Sequence, residues 1–265
     1  MINRDDSRIA EYAHVGDSGW LRQNGLFVAE GRLVVRRLIE ADTFPIRSIL
    51  VTPAAHAALA DALASRPLPV HICDQETMNA VAGFNFHRGC LALGIRGPAG
   101  DSVGPFLSAS RLLALEGIGN PDNIGGLFRV AAAFGAGGML LDRQSGDPLY
   151  RKALRTSMGA ALQMPFAQID PWRPALESLR TAGAHLVALT PDRSAIPLND
   201  YARALPAERR LVLMLGAEGP GLSPESQQAA NARVCIPIAP TIDSLNVSVA
   251  AGIALAALAR PRAEK

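Results

Sequence analysis

Lysine is nearly absent: among 26 basic residues only Lys152 and Lys265 are lysine, and 24 acidic residues leave a formal net charge of +2. That balance excludes a broadly cationic surface, so any nucleic-acid contact must come from local patches. The arginine excess suits phosphate and base recognition, but it also follows from genomic base composition. Cysteine is scarce as well. Cys73, Cys90 and Cys235 lie far apart with no C-x-x-C pair, which argues against a disulfide framework or a zinc site and fits a reducing cytoplasm. The five histidines, His14, His56, His71, His87 and His185, form no metal-ligand spacing, so no metal is predicted. The first thirty residues lack an apolar h-region, which argues against secretion. The apolar run from Asn246 to Leu258 is too short for a bilayer and reads as a buried helix or an oligomer interface. No G-x-G-x-x-G follows an opening strand, and Gly135-Ala136-Gly137-Gly138 ends a helix pattern, which argues against a nicotinamide oxidoreductase.

What is present is enough apolar residue, 49% of 265, for one large or two modest cores. Met1 to about Gln23 mixes charges without sustained periodicity and reads as a short, loosely held lead-in. Leu26 to Val28 starts a strand and Arg32 to Ala41 has helical spacing. Arg47 to Thr52, Pro69 to Cys73 and Cys90 to Ile95 read as strands, with helices over Ala54 to Ala64 and Glu76 to Val81. Gly97 to Ser108, rich in Gly, Pro and Ser, marks a break. The resulting division is a domain of residues 1–97, a linker of 98–108 and a domain of 109–265. In the last part, apolar strands at Arg111 to Glu116, Gly138 to Leu141, Phe166 to Ile169, His185 to Leu189, Leu211 to Leu215 and Val234 to Pro237 alternate with helices, as in a parallel sheet covered on both faces.

Three polar clusters follow predicted strands, where open α/β sheets bind ligands. The first runs from Glu116 to Arg129. Asn123 is able to cap the helix that begins there, and Arg129, six positions on, can face the same cleft. A capped helix with a solvated arginine explains this as well. In the second, Gly216-Ala217-Glu218-Gly219-Pro220-Gly221, glycines around one carboxylate suggest a turn that hugs a ligand. A plain turn with Ser223 as cap before Pro224 accounts for everything there except Glu218. In the third, Asp243 to Asn246 interrupts two apolar segments, and an asparagine at the head of an apolar helix needs a partner if buried.

In this order and spacing, Asn123 with Arg129, Gly216-x-Glu218-Gly219, and Ile236-Pro237 running to Ser244-Leu245-Asn246-Val247-Ser248-Val249-Ala250 resemble the SpoU/TrmH branch of the SPOUT RNA methyltransferases, over about Arg111 to Leu258. The resemblance implies an α/β fold. Its C-terminal, mostly parallel sheet would carry a deep trefoil knot, and a small ribosomal-protein-like α/β domain would precede it. It implies transfer of a methyl group from S-adenosylmethionine to a ribose 2′-hydroxyl. The donor would bind at Leu189, Thr190, Gly216, Gly219, Ile236, Ile238 and Leu245. Catalysis would fall to Arg129, Asn123, Glu218, Ser244 and Asn246. RNA would be gripped by Arg129 and, through a looser match in the N-terminal part, by His87 and Arg88. It also implies a homodimer formed through the apolar C-terminal stretch. Ribosomal RNA is favoured over transfer RNA as substrate, and a catalytically silent RNA-binding protein of the same fold is the rival.

For such a transfer, reactant alignment and removal of the hydroxyl proton carry the rate. Neutralising a guanidinium at pH 7 costs about 8 kcal/mol. A charged Arg129 that binds the neighbouring phosphate and stabilises the developing alkoxide is therefore the cheaper reading, with the proton leaving through phosphate, water or Glu218. Asn123, Ser244 and Asn246 would then orient Arg129 and the ribose.

Overall fold

The computed structural model describes residues 2–83, 88–97, 100–206 and 209–258. A 3-10 segment, Ser7–His14, leads into α1 (Ser18–Gln23), β1 (Leu26–Glu30), α2 (Arg32–Ala41), β2 (Ile46–Val51), α3 (Pro53–Ala58), α4 (Ala60–Ala64), β3 (Val70–Ile72), α5 (Gln75–Ala82) and β4 (Cys90–Ile95). A 3-10 turn at Gly104–Phe106 precedes β5 (Arg111–Glu116), α6 (Pro121–Ala133), β6 (Met139–Leu141), α7 (Arg151–Thr156), a further 3-10 turn at Ala160–Leu162 and β7 (Phe166–Gln168). Then come α8 (Trp172–Thr181), β8 (His185–Leu189), β9 (Ile196–Pro197), α9 (Leu198–Ala204), β10 (Leu211–Gly216), α10 (Pro224–Ala229), β11 (Ala232–Cys235) and α11 (Val247–Ala257). They form two compact units, Met1–Pro98 with Asp147–Gln163 and Ala99–Gly146 with Met164–Lys265.

The first unit is built on a four-stranded sheet ordered β1-β4-β2-β3, antiparallel except for the β2–β3 pair. Its opening residues are not a loose lead-in. Ile9 and Tyr12 are fully buried, Val15 and Leu21 join them in the core, and the Tyr12 hydroxyl lies 3.0 Å from Ser48 Oγ. Ile9, Tyr12 and Val15 recur every third residue, the repeat of a 3-10 helix, which a search for a 3.6 period passes over. The helix expected over Ala54 to Ala64 is broken at Leu59, whose backbone leaves helical geometry. Residues 147–163 also belong here. Arg96 donates to both oxygens of Asp147, at 3.2 and 2.5 Å, and Arg37 Nη1 donates to the Met158 carbonyl at 2.6 Å. This unit is therefore assembled from two separate lengths of chain, which no single linker divides.

The second unit carries a seven-stranded sheet ordered β7-β6-β5-β10-β8-β11-β9, every neighbouring pair parallel. Even-numbered strand residues such as Leu112, Leu186 and Val212 pack with Leu176 and Leu179 of α8. Odd-numbered Leu113, Val187 and Leu213 are buried too. Both faces are thus covered, which explains the continuous apolar strands. The stretch read as a linker contributes its own core residue, since Phe106 is buried against this cluster. From β5 the chain steps outward through β6 to β7, and β8 is then laid on the other side with β10 between. The order reverses beside β5 and β10, so the C-terminal strand ends there open a crevice.

Candidate active site

That crevice is a cavity of about 300 Å³ at the ends of β8, β10 and β11. Leu189 and Thr190 line it after β8, Gly216 and Gly219 after β10, Ile236 and Ile238 after β11, and Leu245 just before α11. The residues expected at a donor site are thus brought together from four segments of chain. Leu215, Val247 and Ala250 extend the apolar wall. The charged groups of the lining are Glu218 and Asp243, and among the described residues no arginine or lysine joins them.

The turn after β10 is held by its own backbone. Gly221 N–H donates to the Ala217 carbonyl at 3.0 Å, and Gly219 and Gly221 have φ of 91° and 71°. A Cβ on residue 216 would lie 2.1 Å from the Gly221 carbonyl carbon. Only glycine permits that approach. The turn projects Glu218 towards two asparagines. Asn123 Nδ2 donates to Glu218 Oε1 at 2.9 Å, and Asn246 Nδ2 donates to Asn123 Oδ1 at 2.8 Å and to Glu218 Oε1 at 3.2 Å. Glu218 Oε2 receives no hydrogen bond among the described residues.

Asn123 is free for this because it does not cap its helix. Asn120 caps α6, its Oδ1 accepting from Asp122 N–H at 2.8 Å, while Asn123 is buried in the first turn. Asn246 does cap α11, its Oδ1 accepting from Ser248 N–H at 3.0 Å and Ser248 Oγ at 2.6 Å. Capping thus consumes the oxygen and leaves the amide nitrogen to reach Asn123 and Glu218. α11 lies close on α6, a Cβ on Gly126 falling 2.9 Å from Ser248 Cβ. Ser223 caps α10 ahead of Pro224, as its sequence predicts.

Ser244 lines the cavity but makes no bond to the asparagines, and Arg129 is exposed with no hydrogen bond or ion pair among the described residues. Asn123 and Asn246 therefore brace Glu218 and not the arginine. Arg88 sits in the first unit with Nε 3.3 Å from Glu30 Oε1. His87 lies outside the described residues.

One supporting residue escaped the sequence reading. Asp142 Oδ1 accepts from Gly117 N–H, Ser145 N–H and Ser145 Oγ at 3.0, 2.8 and 2.6 Å, and ties the loop before α6 to the one after β6. Its signal is an aspartate three residues before a serine in a Gly-containing turn, an Asx-type pattern. Among the described residues no group of three His, Cys, Asp or Glu could hold a metal ion, and no helix is long and apolar enough to cross a membrane.

An uncharacterized tRNA/rRNA methyltransferase from Mycobacterium bovis is 37% identical over 230 residues, covering 86% of this chain and 79% of that protein. A 23S rRNA (guanosine-2′-O-)-methyltransferase RlmB from Burkholderia is 32% identical over 196 residues, covering 72% of this chain and 77% of the relative. Two solved structures share the fold. One is described as of the TrmH family, from Porphyromonas gingivalis, with TM-score 0.81, 22% identity and coverage of 97% of this chain and 98% of that one. The other is the SpoU methyltransferase AviRb from Streptomyces viridochromogenes in complex with AdoMet, with TM-score 0.80, 21% identity and coverage of 96% and 98%. The sequence pattern of the SpoU rRNA methylase family matches residues 110–256, the length that carries all three clusters and the cavity, and the chain belongs to that family of RNA methyltransferases.

Proposed function

We propose that this protein methylates a ribose 2′-hydroxyl of ribosomal RNA with S-adenosylmethionine as donor. The observation that carries the reading is the charge of the cavity: apolar walls, two carboxylates and, among the described residues, no basic residue in the lining. A pyrophosphate-bearing cofactor would be repelled there, whereas a ligand with an apolar body and a positive centre is attracted. Leu189, Ile236, Ile238 and Leu245 would flank the body, the backbone at Thr190, Gly216 and Gly219 would bond its polar edge, and Glu218 and Asp243 would face the positive charge. When bound, the donor supplies an activated methyl group on a sulfonium. The fold's C-terminal knot would enclose it, and α11, whose Val249 and Ile253 are 51% and 40% exposed, would carry the homodimer contact.

The chain's own part is alignment and proton removal. Glu218, held through Oε1 by Asn123 and Asn246, keeps Oε2 for the proton of the target hydroxyl. Arg129, exposed on the surface of α6 and unpaired among the described residues, would bind the phosphate beside that ribose and stabilise the developing alkoxide. Ser244, at the cavity rim, would orient the ribose. The relative acting on 23S rRNA supports a ribosomal substrate.

The test is titration with S-adenosylmethionine followed by transfer of labelled methyl to RNA, with the product digested in alkali. Label in alkali-resistant dinucleotides is the expected result. Label in free nucleotides would overturn the ribose assignment, and absence of donor binding by folded protein would overturn the methyl-transfer reading in favour of a silent RNA binder. Purified ribosomal and transfer RNA as acceptors decide between those substrates.

A further inference from the structure

Asp142 stands one residue beyond β6, and its side chain is buried. Its Oδ1 takes three donors, Gly117 N–H at 3.0 Å, Ser145 N–H at 2.8 Å and Ser145 Oγ at 2.6 Å. The bonds continue on either side. Ile118 N–H donates to Ser145 Oγ at 3.2 Å, and Gly146 N–H donates to the Ile118 carbonyl at 2.9 Å. A Cβ on residue 146 would lie 2.9 Å from the Gly119 carbonyl oxygen, so glycine is required for this approach. Residues 142–146 thus hold the Gly117 N–H, the Ile118 N–H and the Ile118 carbonyl from one side.

The segment held in this way adjoins both ends of the Asn123–Glu218 hydrogen bond. Along the chain it runs into Asn120, the cap of α6, and then into the first helical turn, which carries Asn123. Across the sheet, Glu116 pairs with Gly216, and a Cβ on residue 117 would lie 3.4 Å from Ala217 Cβ, the neighbour of Glu218. Gly117, with φ of 68°, and Gly119 give the segment wide conformational freedom. A charge-assisted bond from a buried carboxylate to the backbone removes that freedom. Asp142 itself does not line the donor cavity.

We propose that Asp142 is a positioning residue for methyl transfer: it fixes residues 117–119 and through them sets the Asn123 amide against Glu218 Oε1. It touches neither RNA nor donor. A shift of about 1 Å in a catalytic group can cost roughly 10²-fold in rate, so a loop that wanders is enough to slow the reaction. The proposal rests on the reading of Glu218 as proton acceptor and supplies what holds that acceptor's brace in place.

The experiment is a double-mutant cycle in the full chain, read by single-turnover transfer of labelled methyl to purified ribosomal RNA at saturating donor and RNA. Asp142→Ala is expected to lower the rate roughly 10–100-fold while donor affinity and the RNA concentration for half-maximal rate stay as in the parent. Combined with Asn123→Ala it should add little to the loss of Asn123→Ala alone, because the two residues act as a unit. Losses that multiply would overturn the proposal. Asp142→Asn, whose amide oxygen can accept in place of Oδ1, should recover most of the rate, and a loss equal to that of Asp142→Ala would count against positioning through this oxygen. Ser145→Ala keeps the carboxylate and removes the acceptor of Ile118 N–H, so it should show a smaller loss, again absorbed by Asn123→Ala, even where Asp142→Ala fails to fold. Ser226→Ala removes another buried hydroxyl of the second unit, bonded to Trp172 Nε1 at 3.2 Å. It should lower the melting temperature without slowing transfer, and an equal rate loss would reduce the effect to stability. Hydrogen exchange, read without donor or RNA, should quicken over residues 117–123 in Asp142→Ala, and unchanged exchange there would overturn the proposal. Glu218→Gln separates the two readings. A parent-like rate in Glu218→Gln overturns the proton acceptor but leaves the coupling of Asp142 to Asn123 standing. A lost rate there, with Asp142 and Asn123 losses that multiply, overturns the positioning role alone.

Discussion

Glu30 and Glu218 are both carboxylates gripped by side chains from distant parts of the chain, yet their surroundings are opposite. Glu30 is buried beneath guanidinium groups, whereas Glu218 is exposed at the edge of an apolar cavity and is held by two neutral amides. Cations around a buried acid neutralise it, so the acid becomes an anchor that holds separate lengths of chain together. Amides bonded to one oxygen orient an acid without neutralising it, and the other oxygen stays available for chemistry.

The widest separation between the two glutamates should appear in turnover. Glu218→Gln is expected to lower the methyl-transfer rate at saturating RNA by roughly 10²–10⁴-fold, the usual contribution of a general base. Glu30→Gln leaves the guanidinium groups around it without their buried carboxylate, so it should lower the melting temperature and leave the saturated rate near that of the parent. Single-turnover transfer at saturating RNA together with a thermal melt measures both, and equal rate losses would dissolve the distinction. Next comes Arg129→Lys. A fixed fork on phosphate predicts a loss of roughly 10²–10³-fold at every pH, while near-parent activity with a displaced pH optimum would make the arginine the base and demote Glu218.

A smaller effect concerns the scaffold of the Glu218 side. Gly216→Ala places a Cβ against the Gly221 backbone and should destabilise the second unit by about 1–3 kcal/mol. Donor affinity should fall with it. A parent-like melting temperature with intact donor binding would contradict the turn geometry.

The smallest effect sets the units against each other in alkali. Burial pushes the Cys90 thiol from 9.0 up to about 12 and the Cys73 thiol to about 11 in the first unit, and the Tyr201 phenol from 10.0 to about 12 in the second. A folded value above the unfolded one means that stability is complete below the unfolded value and drains away as pH rises towards the folded one. The first unit should therefore begin to weaken above about pH 9, before the second. Each unit holds one tryptophan, Trp20 and Trp172. Fluorescence of Trp172→Phe and Trp20→Phe during an alkaline titration reports them separately, and coincident transitions would show that burial of the thiols does not set the order.

Much of the second unit was legible because its signals are local. A strand buried on both faces writes itself as a continuous apolar run, and glycine, asparagine and serine at strand ends mark where the backbone must turn. The residues named for the donor from family resemblance, from Leu189 to Leu245, accordingly all lie in the cavity lining. The capping residue of α6 was misread because Asn120 and Asn123 are equally suited to the role, and only the burial of Asn123 against Glu218 separates them.

Strand positions, cluster order and family membership are consequences of short-range pattern: which residues can be buried together on a strand, and which can bend. The joining of Asn123, Glu218 and Asn246, the exclusion of Arg129 from that network, and the capture of residues 147–163 by the first unit depend on strand order and helix packing. Those contacts link positions up to 123 residues apart, where hydrogen-bond and ion-pair geometry decides between partners that composition and periodicity leave equivalent.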